Sequence, residues 1–95
     1  MILGALAGFG ILSIDCDTLY NTGIYQVASA NATTLYHTPS NYGVLVIFSP
    51  AKDNASYYIQ VFIERTATNF RVLIRTGNKA GGYYPWRRLA TTTDI

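Results

Sequence analysis

The sequence predicts an all-β domain, built as a small antiparallel sheet or sandwich. Three observations support that class. The apolar runs are short and rich in β-branched and aromatic residues, turn-forming residues separate them at intervals of about ten residues, and no stretch shows convincing helical periodicity. With 95 residues, the chain is long enough for one domain that has its own core.

The opening segment, residues 1–16, is apolar and carries Gly4, Gly8 and Gly10 among Leu, Ile, Ala and Phe. Such a segment is too rich in glycine for a stable isolated helix and too apolar to stay in water. It lacks the basic start of a signal peptide and is too short to span a bilayer. Two alternatives remain open: a first strand in the domain's own core, or a strip that packs against an identical neighbouring chain.

The next strand lies over residues 23–28, where Ile24 and Gln26 alternate with Tyr25 and Val27. Residues 29–41 are polar and predict a loop that is long enough to be mobile or functional. Residues 44–48 are five apolar residues in succession, a pattern typical of a strand that is buried on both faces.

A predicted hairpin joins strands over residues 57–65 and 70–75 through residues 66–69. In its first strand, Ile59, Val61 and Ile63 share one face, and Gln60, Phe62 and Glu64 share the other. In its second strand, we expect Phe70, Val72 and Ile74 to point inward, and Arg71, Leu73 and Arg75 to point outward. A glycine-rich turn over 77–82 leads to a last short strand or extended segment over 83–89.

The chain is lightly charged for a globular domain. Charged residues make up 13% of the sequence and the net charge is only +2, which is too small for a surface that tracks phosphates by itself. Five of the seven cations are arginines, all at or after Arg65. A surface this apolar is consistent with partner subunits that bury part of it.

The side chains that catalysis or metal binding requires are scarce. The acids are Asp15, Asp17, Asp53, Glu64 and Asp94. We expect Asp15 and Asp17 to form a turn or cap, Glu64 to be a solvated or ion-paired surface group, and no catalytic pair. His37 is the one histidine, expected to be exposed in its loop, and Cys16 is the one cysteine. We expect Cys16 to be inert, with two neighbouring carboxylates raising its pKa, and we expect no metal and no cofactor.

The aromatic residues are the candidates for ligand binding, because a sugar site combines an aromatic platform with fixed polar groups. The candidate ligand-binding residues are Tyr36, Tyr42, Arg75, Tyr83, Tyr84, Trp86 and Arg87. For Trp86 we favour a second interpretation, a core plug whose indole N–H bonds a carbonyl while Arg75 or Arg87 stacks on the ring. Arg71 and Arg75 can grip anionic sugars or pair with Glu64. Tyr25, Gln60 and Leu89 are the expected structural residues.

The order of these signals resembles the pyocin-knob family of phage tail fibres and phage-tail-like bacteriocins. The matching pieces are Asp17-Thr18-Leu19, Gly23-Ile24-Tyr25-Gln26-Val27, Pro39, Gly43-Val44-Leu45-Val46, Ile59-Gln60-Val61-Phe62, Val72-Leu73-Ile74-Arg75-Thr76-Gly77 and Pro85-Trp86-Arg87-Arg88-Leu89. They cover about three quarters of the chain, and the loop over residues 29–42 departs from the pattern.

The resemblance implies a non-enzymatic, homotrimeric attachment domain of a virion tail fibre. Residues 17–95 would form the knob-like domain, and residues 1–16 would join it to an upstream shaft. The expected ligand is bacterial surface polysaccharide or lipopolysaccharide, with no nucleic acid partner and no membrane insertion. Two alternatives remain: a single-stranded nucleic-acid binder that uses tyrosines with Arg71, Arg75, Arg87 and Arg88, and a spacer or trimerisation unit of a fibre.

Overall fold

A computed structural model describes residues 8–49, 58–66, 70–78 and 81–89. The strands are β1 (Gly8–Ile11), β2 (Gly23–Ala28), β3 (Tyr42–Phe48), β4 (Tyr58–Arg65), β5 (Phe70–Asn78), β6 (Gly82–Tyr83) and β7 (Arg87–Arg88). A 3₁₀ turn (Cys16–Thr18) and a short helix α1 (Ala32–Leu35) lie between strands. The predicted β class is therefore confirmed.

In the described part of the chain, the seven strands form one open sheet in the order β1-β2-β3-β4-β5-β6, and β7 also pairs with β5. The central strands β2 to β5 form an antiparallel meander, whereas β1 runs parallel to β2 at the edge. Of the two predicted architectures, the described residues thus form the single sheet. Residues 8–11 of the opening segment belong to this sheet, and residues 1–7 lie outside the described part.

Helix α1 corrects the expectation that the chain has no helix. Asn41, which lies nine residues after the first residue of α1, accepts a hydrogen bond from the backbone N–H of Thr33 at 3.0 Å and donates one to the carbonyl of Ala30 at 3.0 Å. The first turn is thus held by a distant side chain, and Asn31 at the N-cap position makes no side-chain cap hydrogen bond.

The two faces of the sheet differ in burial, and we call them the buried face and the open face. On the buried face, cross-strand neighbours such as Leu45 and Phe62 are fully buried. The cover consists of residues that come from outside the central strands: Leu12, Cys16, Leu19, Ala32, Tyr36 and Trp86. The hydrophobic core therefore lies between one face of the sheet and the segments that cross it.

The open face consists of the alternate residues of the same strands. Its two central rows are Gln26, Val44, Ile63 and Val72, and then Ile24, Val46, Val61 and Ile74. At its ends lie Ala28, Tyr42, Arg65 and Phe70 on one side, and Phe48, Ile59 and Thr76 on the other. None of these described residues is buried.

This arrangement reverses the predicted orientation of β5. Leu73 and Arg75 are 7% and 8% exposed, whereas Phe70 is 68% exposed. The covered face of β5 has one apolar side chain between two arginines, whereas Phe70, Val72 and Ile74 share the other face, so the alternation favours the wrong side. In β3, predicted to be buried on both faces, both faces are apolar, and the rest of the chain fully buries residues on only one of them.

Candidate functional site

A β-bulge at the edge of the sheet organises the residues of the aromatic C-terminal motif. Tyr83 is in register with Gly77, and Arg87 is in register with Ile74. Three steps along β5 thus correspond to four steps along the facing chain, so one extra residue lies between β6 and β7. In a regular strand Tyr83 and Trp86 would point to opposite faces. The extra residue brings both rings to the buried face.

The bulge places these two rings on either side of Arg75. The guanidinium carbon lies 4.3 Å from the centre of the Tyr83 ring and 4.4 Å from that of Trp86. Gly77 allows this close fit, because a Cβ at that position would collide with the carbonyl oxygen of Gly82. Cation–π contacts in a desolvated site are worth about 2 kcal/mol. Arg75 is therefore held as the centre of a stack.

The stack continues through the turn region. The Tyr20 ring lies parallel to Tyr83 with their centroids 5.6 Å apart, and it contacts Tyr58 at 5.0 Å. The Tyr83 hydroxyl donates to the carbonyl of Leu19 at 2.7 Å, and its burial raises its pKa. The column formed by Trp86, Arg75, Tyr83, Tyr20 and Tyr58 is called the aromatic column below.

Gln60 anchors the polar side of Arg75. Its carbonyl oxygen accepts from Nε and Nη2 of Arg75 at 2.8 and 2.6 Å. Its amide nitrogen donates to the carbonyl of Cys16 at 2.8 Å and to that of Leu19 at 3.3 Å. Gln60 is 0% exposed, so this fully bonded amide ties the 3₁₀ turn to the middle of the sheet.

An acidic turn closes the network toward solvent. Asp17 accepts from Nη1 of Arg75 at 2.8 Å, and Asp15 caps the 3₁₀ turn by accepting from the Asp17 N–H at 2.9 Å. His37, at φ 58°, places Nδ1 2.9 Å from Asp15 and 3.4 Å from Asp17. The hydrogen bond to Asp15 raises the pKa of His37. The predicted cap is confirmed, and the loop histidine, though exposed, is also paired.

Asp15, Asp17 and His37 could be mistaken for a metal site, since one ligand atom from each lies within 4.8 Å of the others. The guanidinium of Arg75 already binds Asp17, and Nδ1 of His37 lies at hydrogen-bond distance from Asp15. A cation at this point would compete with the guanidinium and with this hydrogen bond. We therefore interpret the cluster as an ion-pair network that fastens the loop to the core.

Cys16 lies beneath this network and is 0% exposed. Burial raises the pKa of its thiol to about 12, and the neighbouring Asp17 and Asp15 add to the shift, while Arg75 opposes it. The sequence predicted the direction of the shift from the two carboxylates, but desolvation is the larger cause. The thiol is therefore kept protonated at neutral pH.

Glu64 corrects a second expectation, because it is a buried residue at 4% exposure and not a surface group. Its carboxylate accepts from Nη2 of Arg71 at 3.0 Å, and a second bond from Nε makes the pair bidentate. The bond to Arg71 lowers the pKa of Glu64. Of the two alternatives for Arg71, the pair with Glu64 across the hairpin is the one that the structure contains.

A groove lies at the end of the sheet that is formed by the last residues of β2 and β4 and the first of β3. Its volume is about 990 Å³. Tyr42, which is 46% exposed, provides an aromatic surface, and Gln26 and Arg65, both exposed, provide an amide and a guanidinium. A ring face beside hydrogen-bond donors is the combination that a saccharide requires.

The structure divides the seven candidate binding residues into two groups. Arg75, Tyr83 and Trp86 come together in the aromatic column, where Trp86 contacts the Phe62 ring edge-to-face at 6.4 Å, and Tyr36 packs against the core. Tyr42, Tyr84 and Arg87 remain exposed, and Tyr42 lines the groove.

The predicted stacking of Trp86 on Arg75 is confirmed. The predicted hydrogen bond of its indole is not found, because the buried Nε1 has no hydrogen-bond partner in the described part of the chain. Among the expected structural residues, Gln60 is buried, Tyr25 packs against the core, and Leu89 is 46% exposed.

Sequence reasoning missed three parts of this network: Tyr20 in the column, the ion pair of Asp17 with Arg75, and the bulge. Asp17 and Arg75 are 58 positions apart in the sequence, so no local spacing relates them. The one available signal was the pairing of two aromatics three residues apart around Pro85, which a regular edge strand would place on opposite faces.

Comparisons with known proteins give no relative: no family model, no curated protein and no solved structure matches the chain. Within the described ranges, no helix is both long and apolar enough to cross a membrane.

Proposed function

We propose that this chain is a non-enzymatic attachment module of a phage-type tail fibre, homotrimeric, which binds bacterial surface glycan. The observation that carries the proposal is the groove at the end of β2, β3 and β4. There an exposed tyrosine lies beside an exposed amide and an exposed guanidinium, at the end of the sheet. This site fits one face and the hydroxyl rim of a sugar ring, and Arg65 favours an anionic sugar.

The state of the other polar groups supports binding over catalysis. Arg75 and Gln60 bond each other inside the core, and Glu64 is paired with Arg71. Asp15 and Asp17 are engaged with His37 and Arg75. A general acid or base needs access to a substrate proton, and these groups are occupied in holding the fold together.

Three copies would strengthen a shallow sugar site, because linked sites raise the overall affinity without any new contact. The nucleic-acid alternative is weakened by the fold. Of the four arginines that it requires, Arg71 is paired with Glu64 and Arg75 is buried in the aromatic column. The spacer alternative differs from our proposal only in lacking the sugar site, so the same experiment separates the two.

The test is retention of the protein on whole bacterial cells and on extracted envelope polysaccharide. We expect Tyr42→Ala to abolish retention with no change in native mass. Leu35→Ser, a change at an exposed apolar residue of α1 away from the groove, serves as the matched control and is expected to leave retention intact.

Two other results would redirect the proposal. If Tyr42→Ala is retained as well as the parent, and Tyr84→Ala or Arg87→Ala is not, the sugar site lies at the C-terminal edge of the sheet instead. Oligonucleotide binding with a steep salt dependence, and none to polysaccharide, would favour the nucleic-acid alternative.

A further inference from the structure

The centre of the open face is entirely aliphatic apart from Gln26 at its edge. Seven β-branched side chains fill its two central rows: Ile24, Val44, Val46, Val61, Ile63, Val72 and Ile74. Six of them are half-buried, and Ile24 is exposed at 38%. Sheets that leave one face in water normally alternate apolar with polar residues. This one is apolar on both faces.

The border of the open face has a different composition. Large exposed side chains surround the aliphatic centre: Ile11 at 70%, Phe70 at 68%, Phe48 at 49% and Tyr42 at 46%. Arg65 and Arg87 lie at the border too, and both are exposed. An apolar centre with aromatic residues and arginines around it is the composition of a protein–protein interface.

We propose that the open face is the surface through which copies of this chain pack against one another, open face toward open face. The inference rests on the homotrimeric part of the proposed function and names the surface that would form the trimer. Three open faces turned toward a common axis would enclose an apolar core, and the groove with Tyr42 would lie at the border between copies.

The area of the face agrees with what a stable interface needs. Neighbouring strands lie about 4.8 Å apart and alternate residues about 6.8 Å apart, so five strands and the three rows that exclude Tyr42 cover roughly 500 Å² in projection. The accessible area of such a rough surface exceeds its projection and approaches the roughly 800 Å² that each partner buries in a standard interface. It is also at the upper limit of the apolar patches that monomers expose.

The charges favour a second copy over an unrelated acidic partner. Among the described residues of the open face, the charged ones are Arg65 and Arg87, both at the border, and the central rows contain none. An acidic surface would meet aliphatic side chains over most of the contact and leave its charges unpaired, which is costly. An identical aliphatic face offers apolar surface over the whole contact, and its arginines stay in water at the edge.

The test changes Val61, at the centre of the face, and measures native mass by light scattering during gel filtration. We expect three copies for the parent and one copy for Val61→Lys. Thr33→Lys, an equal change at an exposed residue of α1 on the other side of the sheet, is the control and should retain three copies. A urea unfolding transition in Val61→Lys shows that the single copy is folded.

A second measurement gives a positive signal. Val61→Cys should form disulfide-linked chains on mild oxidation, whereas Thr33→Cys should not. Cys16 does not interfere, because it is buried. Cross-linking of Val61→Cys in a protein of native trimeric mass supports the inference directly.

The outcomes separate the inference from the function. A monomeric parent would overturn both this surface and the trimer in the proposed function. A trimeric Val61→Lys would overturn the surface alone. A parent of two copies that Val61→Lys separates would support the surface and correct the number of copies. If Tyr42→Ala stays trimeric but is no longer retained on glycan, the result supports the sugar site and does not contradict the open face as the trimer interface.

Discussion

On the buried face of the sheet, Gln60, Glu64 and Arg75 are each less than a tenth exposed. On the other side of the same strands, Val46, Val61 and Ile74 are accessible to solvent. The buried face thus includes polar side chains within its hydrophobic core, while the centre of the open face presents aliphatic ones, which is not the usual distribution. Within the described residues, the chain covers the buried face with its own segments and leaves the open face uncovered.

The difference has an energetic basis. A buried polar group is tolerated only when it is bonded, and Gln60 and Arg75 satisfy each other within a network that also binds the 3₁₀ turn. Such a network stabilises one arrangement of the loops. The aliphatic face is not tied to a single geometry, and its burial yields about 25 cal/mol for each Å² removed from water.

The largest expected effect is on the buried face. Arg75→Met should lower the free energy of unfolding by about 3–4 kcal/mol, since it removes two ring contacts and leaves Gln60 and Asp17 without their partner. Urea unfolding measures it. Arg87→Met, on the open face, is the matched control and should change stability by less than about 0.5 kcal/mol. Equal losses in the two variants would contradict the contrast between the faces.

The next prediction compares the stability cost of truncating two neighbouring residues of β3, one on each face. Leu45→Ala, at 0% exposure, should cost about 3 kcal/mol through the cavity that it leaves. Val46→Ala, on the open face, should cost about 1 kcal/mol or less. Both are measured by urea unfolding in the monomeric Val61→Lys background. A cost of about 3 kcal/mol for Val46→Ala would mean that the chain itself covers the open face.

A deletion tests the bulge. Removal of Pro85 leaves Tyr83 and Trp86 two residues apart, so regular pairing with β5 keeps both rings on the buried face. We expect a loss of stability below about 1 kcal/mol and unchanged tryptophan emission. Pro85→Ala keeps the residue count and is the control. A red shift of the emission with a loss of about 2–3 kcal/mol after the deletion would contradict a bulge of one residue.

The smallest expected effect depends on pH. Because the folded protein raises the pKa of His37 above 6.5, the pair with Asp15 stabilises fully below that pH, and its contribution is lost as pH rises through the folded value. His37→Asn tolerates φ 58° and should narrow the stability difference between pH 5.5 and pH 8. The lowered pKa of Glu64 changes stability only at a pH more acidic than this range, where its carboxylate becomes protonated. If the stability difference between the two pH values is unchanged in this variant, the pair of His37 with Asp15 does not stabilise the fold.

Parts of the site could be predicted from sequence, and others could not. Residues such as Gln60 and Trp86 stood out because an amide in an apolar strand and a lone tryptophan need partners. The sequence did not show that Arg75 is one of those partners in the core, since an arginine in alternation with leucine is typical of a solvent-facing position. The wrong orientation predicted for β5 follows from that. Glu64 forms the expected ion pair, but its place beside Arg65 at a strand end, which is typical of the surface, did not indicate that it is buried.

The sequence by itself determined the β class, the strand positions and the scarcity of groups for chemistry, because these depend on local composition and on a two-residue period. Only the tertiary structure decided which face of the sheet is covered. Both faces are apolar, so the choice depends on the bonds that Gln60 and Arg75 make with a turn more than 40 residues earlier in the chain. Those long-range contacts also leave the aliphatic face open.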